Sequence, residues 1–274
     1  MLKSSRSRRL LLAFFVTFMF VALTAVSSAN HSWGGYHWAR TSNPFSLKLG
    51  DNTTGPWPAH LSIASSDWTQ STVLNTTIVT GGTGGVRRCP ATLGRVEVCN
   101  AKYGQNGWLG IASIWANGDH ITQGTVKLND TYFNMAQYNT NAWRQFVMCQ
   151  EVGHTFGLDH QDTTFDNPNL GSCMDYTNDP DGGAGGASQT DPSNEHPNTH
   201  DYDQLVTIYT HLDSSTTVGQ TVVRGAAAGN DASEWGRLVR STNEGRTALF
   251  ERDLGNGNKL FTFVIWADQA EAGE

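Results

Sequence analysis

The run Gln150-Glu151-Val152-Gly153-His154-Thr155-Phe156-Gly157-Leu158-Asp159-His160 constrains this chain more than any other stretch. Residues 150 and 154 are four apart, so on a helix they share a face, and Glu151 lies beside it. Asn139 or Thr140 is placed to cap a helix from Ala142 to about Phe156. Gly157 is able to adopt the left-handed conformation that ends a helix and turns the chain back. His160 then points at the same place as His154. Two imidazoles, one polar side chain and an adjacent carboxylate converge, which is how a catalytic zinc is held with its fourth position open.

On these residues the segment resembles the metzincin signature H-E-x-x-H-x-x-G-x-x-H, with Gln150 at the first ligand position. The run GHTFGLDH is most similar to the matrixin version, and Ser172-Cys173-Met174-Asp175-Tyr176 resembles the Met-turn of that clan. The resemblance implies His154 and His160 as zinc ligands with Gln150 in the third place, Glu151 as general base, and Met174 as the floor beneath the metal. A tyrosine two residues after the methionine assists the metal or transition state in some branches, a role that falls on Tyr176. Leu109 to Trp115 resembles the edge strand on which metzincins align extended substrates. The implied fold is α+β: a twisted mixed sheet, an active-site helix and a Met-turn, with a small C-terminal β meander. The resemblance spans roughly Phe45 to Leu212. Gln150 leaves three outcomes open. Its neutral oxygen ligates, though more poorly than an imidazole nitrogen; His120 or His200 supplies the third ligand; or metal and activity are lost and the fold kept.

The chain has 274 residues, enough for one medium domain and a small appendage. Lys3, Arg6, Arg8 and Arg9 precede an apolar run, Leu10 to Val26, and Ser27 and Ala29 occupy small-residue cleavage positions. That is the pattern of an export signal over 1–29; an uncleaved anchor is the rival. Cleavage removes four basic and no acidic residues, moving the net charge from −7 to −11. That balance argues against nucleic acid or an anionic membrane surface as a partner. Four cysteines in an exported chain imply two disulfides, and three pairings are open. The short separation of Cys89 and Cys99 favours that pair and leaves Cys149 with Cys173. In the resembled fold the latter bond staples the ligand helix to the Met-turn.

Along the chain, Phe45 to Leu49 alternates as a strand, and Ala59 to Val79 reads as a helix followed by a strand. Leu109 to Trp115 and Thr125 to Leu128 are further strands. A glycine-rich loop, 179–193, precedes a second helix from about Thr199 to His211. The small, polar segment 214–233 reads as a linker. Runs at 236–239, 247–251 and 260–266 suggest a meander, giving divisions at 1–29, 30–213, 214–233 and 234–274. No internal repeat is evident, and 30–45 is too short for a cysteine-switch prodomain.

His31, His37, His60, His196 and His211 read individually as satisfied surface or core histidines. Asp159 and Asp175 read as hydrogen-bond acceptors that orient neighbouring ligands. Asp179, Asp181 and Asp191 could hold calcium, though without regular loop spacing. Asn52, Asn75 and Asn129 begin glycosylation sequons. The expected protein is a secreted, extracellular, monomeric zinc metalloendopeptidase acting on protein or peptide substrates. Two other readings stand beside it: an inactive homologue that binds peptides or proteins, and a carbohydrate- or surface-binding meander offering Trp235 and Trp266.

Overall fold

The computed structural model describes residues 31–82, 86–162, 164–165, 167–184, 190–220, 227–242 and 247–267. The expected export signal, 1–29, lies outside the described residues. The strands are β1 His37–Trp38, β2 Phe45–Asn52, β3 Leu74–Thr80, β4 Val96–Ala101, β5 Trp108–Asn117, β6 His120–Asn129, β7 Arg237–Thr242, β8 Thr247–Gly255 and β9 Asn258–Trp266. The helices are α1 Trp57–Trp68, α2 Asp130–Phe133, α3 Asn141–His154, α4 Thr199–Ile208 and α5 Ala232–Trp235. No described helix is long and apolar enough to cross a membrane.

The strands form one mixed sheet in the order β3-β2-β4-β6-β5-β9-β8-β7, with β1 beside the start of β6. Pairing is parallel from β3 to β6 and antiparallel from β6 through β5 to β7. In β2 the alternation is plain: Phe45, Leu47 and Leu49 face the core while Ser46 and Lys48 face water. β5 is buried over nine consecutive residues. Leu109, Ala112 and Ile114 join the main core with α1 and α3. Trp108 and Ile111 face the other way, into a second cluster with Trp235, Phe250 and Val264. A strand covered on both faces reads as a continuous apolar run.

The sheet and its connections differ from the sequence expectation at three places. Leu109 to Trp115 is no edge strand, because β9 pairs along it, with Ala112 opposite Phe263 and Ile114 opposite Phe261. β7, β8 and β9 pair antiparallel in order, and through β9 they continue the central sheet. Nor does 214–233 hang free over its described residues. Thr217 N–H donates to Ala39 O and Gly219 N–H to Gly94 O, both at 2.9 Å. The buried Lys127 Nζ donates to Ala228 O at 2.6 Å and Asn230 Oδ1 at 2.7 Å. Small polar residues made that stretch look like a linker, but backbone groups pin it down.

Both expected disulfides, Cys89–Cys99 and Cys149–Cys173, are present.

Candidate metal centre

α3 begins where Thr140 Oγ1 accepts the Trp143 N–H at 3.1 Å. It ends at His154, two residues short of expectation, and Gly157 reverses the chain at φ +99°. No other residue fits there: a Cβ on Gly157 would lie 2.4 Å from Tyr36 O. The returning segment runs between the N-terminal stretch and the turn at 172–176. Asp159 N–H donates to His31 O at 2.5 Å and Gln161 N–H to Met174 O at 2.6 Å. Met174 lies directly under the helix, since a Cβ on Gly153 would meet its Sδ at 2.6 Å. Gly110 gives β5 similar access to α3: a Cβ there would meet Glu151 Oε1 at 2.7 Å.

The structure brings Gln150, Glu151, His154, His160 and Tyr176 together in the interior. The His154 and His160 ring centroids are 4.6 Å apart, and those of His160 and Tyr176 4.5 Å. Gln150 is fully buried, and its Nε2 donates to Cys173 O at 2.7 Å and Asp175 O at 3.0 Å. Both amide protons are spent on these two carbonyls, which fixes the carboxamide and leaves Oε1 without a partner. His154 Nδ1 faces Leu158 O at 2.8 Å. A carbonyl only accepts, so Nδ1 carries the proton and the Nε2 lone pair is free. His160 Nδ1 lies 3.4 Å from Asp159 Oδ1, which leaves its Nε2 free in the same way. Gln150 Oε1, His154 Nε2, His160 Nε2, both Glu151 oxygens and the Tyr176 hydroxyl are all buried without a hydrogen-bond partner.

Burial holds both imidazoles below their ordinary pKa, which keeps them neutral and able to ligate. Burial likewise pushes Glu151 and Tyr176 well above their usual ranges. Burial would raise Asp159 too, but hydrogen bonds and charge from His160 and Arg240 hold it below its ordinary value. Unpartnered buried polar atoms are costly, and so many in one place need an occupant. Two imidazole nitrogens and an amide oxygen suit a zinc-like cation.

The candidate centre is closed by the C-terminal strands. Phe263 of β9 stacks on His154, centroids 4.1 Å apart at 12°. Arg240 of β7 donates to Asp159 Oδ1 at 2.6 Å. No site residue is more than 9% exposed.

Other expectations divide. His120 and His200 are not at this centre. His200 stacks on His31 beside Asp201, while His120 meets His37, His211 and Asp213 elsewhere. His60 is buried against Gln145, and His196 pairs with Asp67. Asp175 accepts from Leu170 N–H, Asn194 Nδ2 and Tyr176 N–H, so it shapes the Met-turn as expected of an acceptor. Burial nonetheless raises its pKa to about 6. Asp179, Asp181 and Asp191 belong to neither grouping of described residues close enough to hold an ion, and their loop continues into 185–189, outside the described residues. Asn129 is fully buried and donates to Gly104 O and Trp108 O, so it is closed to a glycan. Trp235 is buried with its Nε1 donating to Gly229 O, which removes it from any carbohydrate platform.

No known family model matches the chain, and no curated protein matches it. Among solved structures it is similar to high choriolytic enzyme 1, a hatching enzyme zinc-protease from Oryzias latipes (medaka fish). That likeness has 14% identity over 65% of this chain and 96% of the other, with a TM-score of 0.35. It is also similar to myroilysin, at 12% identity over 68% of this chain and 97% of the other, with a TM-score of 0.32.

Proposed function

We propose that this chain is an exported zinc-dependent peptide hydrolase on the metzincin plan, held in a closed state by its own C-terminal strands. The observation that carries the reading is the set of buried, unpartnered atoms on Gln150, Glu151, His154, His160 and Tyr176. Gln150, His154 and His160 would hold the metal, with Met174 beneath. Zinc there supplies Lewis acidity, polarising a scissile carbonyl and lowering the pKa of water toward neutrality. Glu151 would take the proton from the attacking water and hand it to the leaving amine. The Tyr176 hydroxyl, otherwise unpaired, would donate to the oxygen that gains charge. Substrate is a protein or peptide outside the cell, and the chain acts as a monomer.

An extended substrate needs the β5 edge that β9 covers. Turnover therefore requires β9 to move, and the closed form is latent. Hydrolysis of an unfolded protein by the full chain, compared with Glu151→Ala, tests the reading. Zinc-free protein that stays inactive in zinc-supplemented buffer, even with β9 loosened by substitution, would overturn it.

The second reading is a non-catalytic homologue that binds peptides or proteins. It is favoured by Gln150, a weaker donor whose amide is committed to Cys173 O and Asp175 O. Activity appearing only in Gln150→His would decide for it.

A further inference from the structure

Away from the candidate centre, four side chains from three distant parts of the chain meet. His37 belongs to β1, His120 opens β6, and His211 and Asp213 follow α4. His211 Nε2 lies 3.1 Å from His37 Nε2. Asp213 Oδ1 lies 3.4 Å from His37 Nε2, 3.3 Å from His120 Nε2 and 3.6 Å from His211 Nε2. The rings stand edge to face: 83° between His37 and His120, 87° between His37 and His211. From these positions we infer that His37, His120, His211 and Asp213 form a tetrahedral zinc site that ties the N-terminal segment, the β5–β6 turn and the chain after α4 together.

His37, His120 and Asp213 are mutually close enough to hold one ion, and His211 lies 3.1 Å from His37 and 3.6 Å from Asp213 as a fourth donor. A tetrahedral zinc with bonds of about 2.0–2.1 Å holds its donors about 3.3–3.4 Å apart. Three imidazole nitrogens and one carboxylate oxygen are a ligand set zinc favours. The protonation pattern agrees. His37 Nδ1 lies 2.9 Å from Gly35 O, an acceptor only, so Nδ1 carries the proton and Nε2 is the atom turned inward. There it faces His211 Nε2 at 3.1 Å and Asp213 Oδ1 at 3.4 Å, two of the donors a cation would take.

A plain hydrogen-bonded cluster explains the arrangement less well. It would place a His211 proton on the His37 lone pair and leave three imidazole nitrogens crowded around one carboxylate oxygen. Asp213 is already served as an anion by Arg40, whose N–H and Nη1 donate to Oδ2 at 3.1 and 3.0 Å. This leaves Oδ1 pointing at the three nitrogens. Arg40 thus orients the carboxylate, as groups behind a metal ligand commonly do. Four protein ligands fill a tetrahedron, so the ion is structural and leaves no position for substrate.

The test is metal analysis of the full chain, purified without chelator, against His120→Ala/His211→Ala. These two histidines are partly exposed, at 34% and 54%, so the variant keeps its core. Wild type should carry one zinc per chain more than the variant, whether or not the Gln150–His154–His160 centre is filled. Equal metal content in the two proteins overturns the site. A second measurement guards against a variant that misfolds. Chelator-stripped wild type titrated with Co2+ should show the visible bands of tetrahedral cobalt, and His154→Ala should keep them. Their absence from both proteins overturns the site as well.

Discussion

Phe263 lies flat on His154, ring centroids 4.1 Å apart and planes 12° from parallel. One residue belongs to the C-terminal strand that pairs with β5, the other to the helix that carries the candidate centre. In the proposed reading, this contact makes β9 a lid over the interior site. Phe263→Ala should therefore do two things at once. It should lower stability by about 3–5 kcal/mol, the usual cost of truncating a buried phenylalanine. It should also raise hydrolysis of an unfolded protein, because β9 loses its hold on the helix. Denaturant melts and a protease assay on the same preparation check both.

Arg240 tests the lid with less damage. It is half-exposed and paired with Asp159, so Arg240→Gln should cost no more than about 1 kcal/mol. Hydrolysis should still increase, since β7 then no longer anchors to the segment bearing His160. An increase with Phe263→Ala but none with Arg240→Gln would place the restraint in β9 alone.

Gln150 uses both amide protons on Met-turn carbonyls. Gln150→Glu removes those donors and sets a carboxylate against Cys173 O and Asp175 O. Stability should fall by about 2–4 kcal/mol, the cost of stranding buried polar groups. Gln150→His should tighten zinc binding, since nitrogen replaces a neutral oxygen. Melting curves at fixed free zinc separate the two variants.

The helix of this centre is readable from local spacing. Residues 150 and 154 share a face, Gly157 ends the helix, and a methionine-bearing turn comes after it. These relations span a few residues each, and the structure keeps them. Pairing of β5 with β9 is not local, and the clue to it lay in composition. Trp108 and Ile111 on one face and Leu109, Ala112 and Ile114 on the other describe a strand covered on both sides, which an edge strand is not. The His37 cluster was less legible still. His37 and Asp213 are 176 residues apart, and His37 and His211 taken singly look like ordinary surface or core residues. The only local hint was His211 standing two residues before Asp213.

Lys127 offers a pH test far from any metal ligand. Burial lowers its pKa to about 8 from an ordinary 10.5. Between those values the unfolded chain holds a proton that the folded one does not, so stability contributed by this group rises with pH across the window and is smallest below it. Wild type should thus gain on Lys127→Met from pH 8 to pH 10, by about 1.4 kcal/mol per unit at most. Parallel stability curves for the two proteins would show that the lysine stays charged in the fold.

The Cys149–Cys173 bond joins α3 to the turn at 172–176, across a sequence separation of 24. Its selective loss through Cys149→Ala/Cys173→Ala should cost about 3 kcal/mol. It should also weaken zinc retention, since Gln150 bonds to Cys173 O. Dialysis against a graded chelator series measures the second effect.

Anomalous diffraction at the zinc absorption edge, from crystals of the full chain grown without chelator, bears most directly on the candidate centre. A peak bounded by Gln150 Oε1, His154 Nε2 and His160 Nε2, above Met174, is the predicted result. A fully occupied peak among His37, His120, His211 and Asp213, with none between His154 and His160, would contradict the hydrolase reading and leave the second metal site standing.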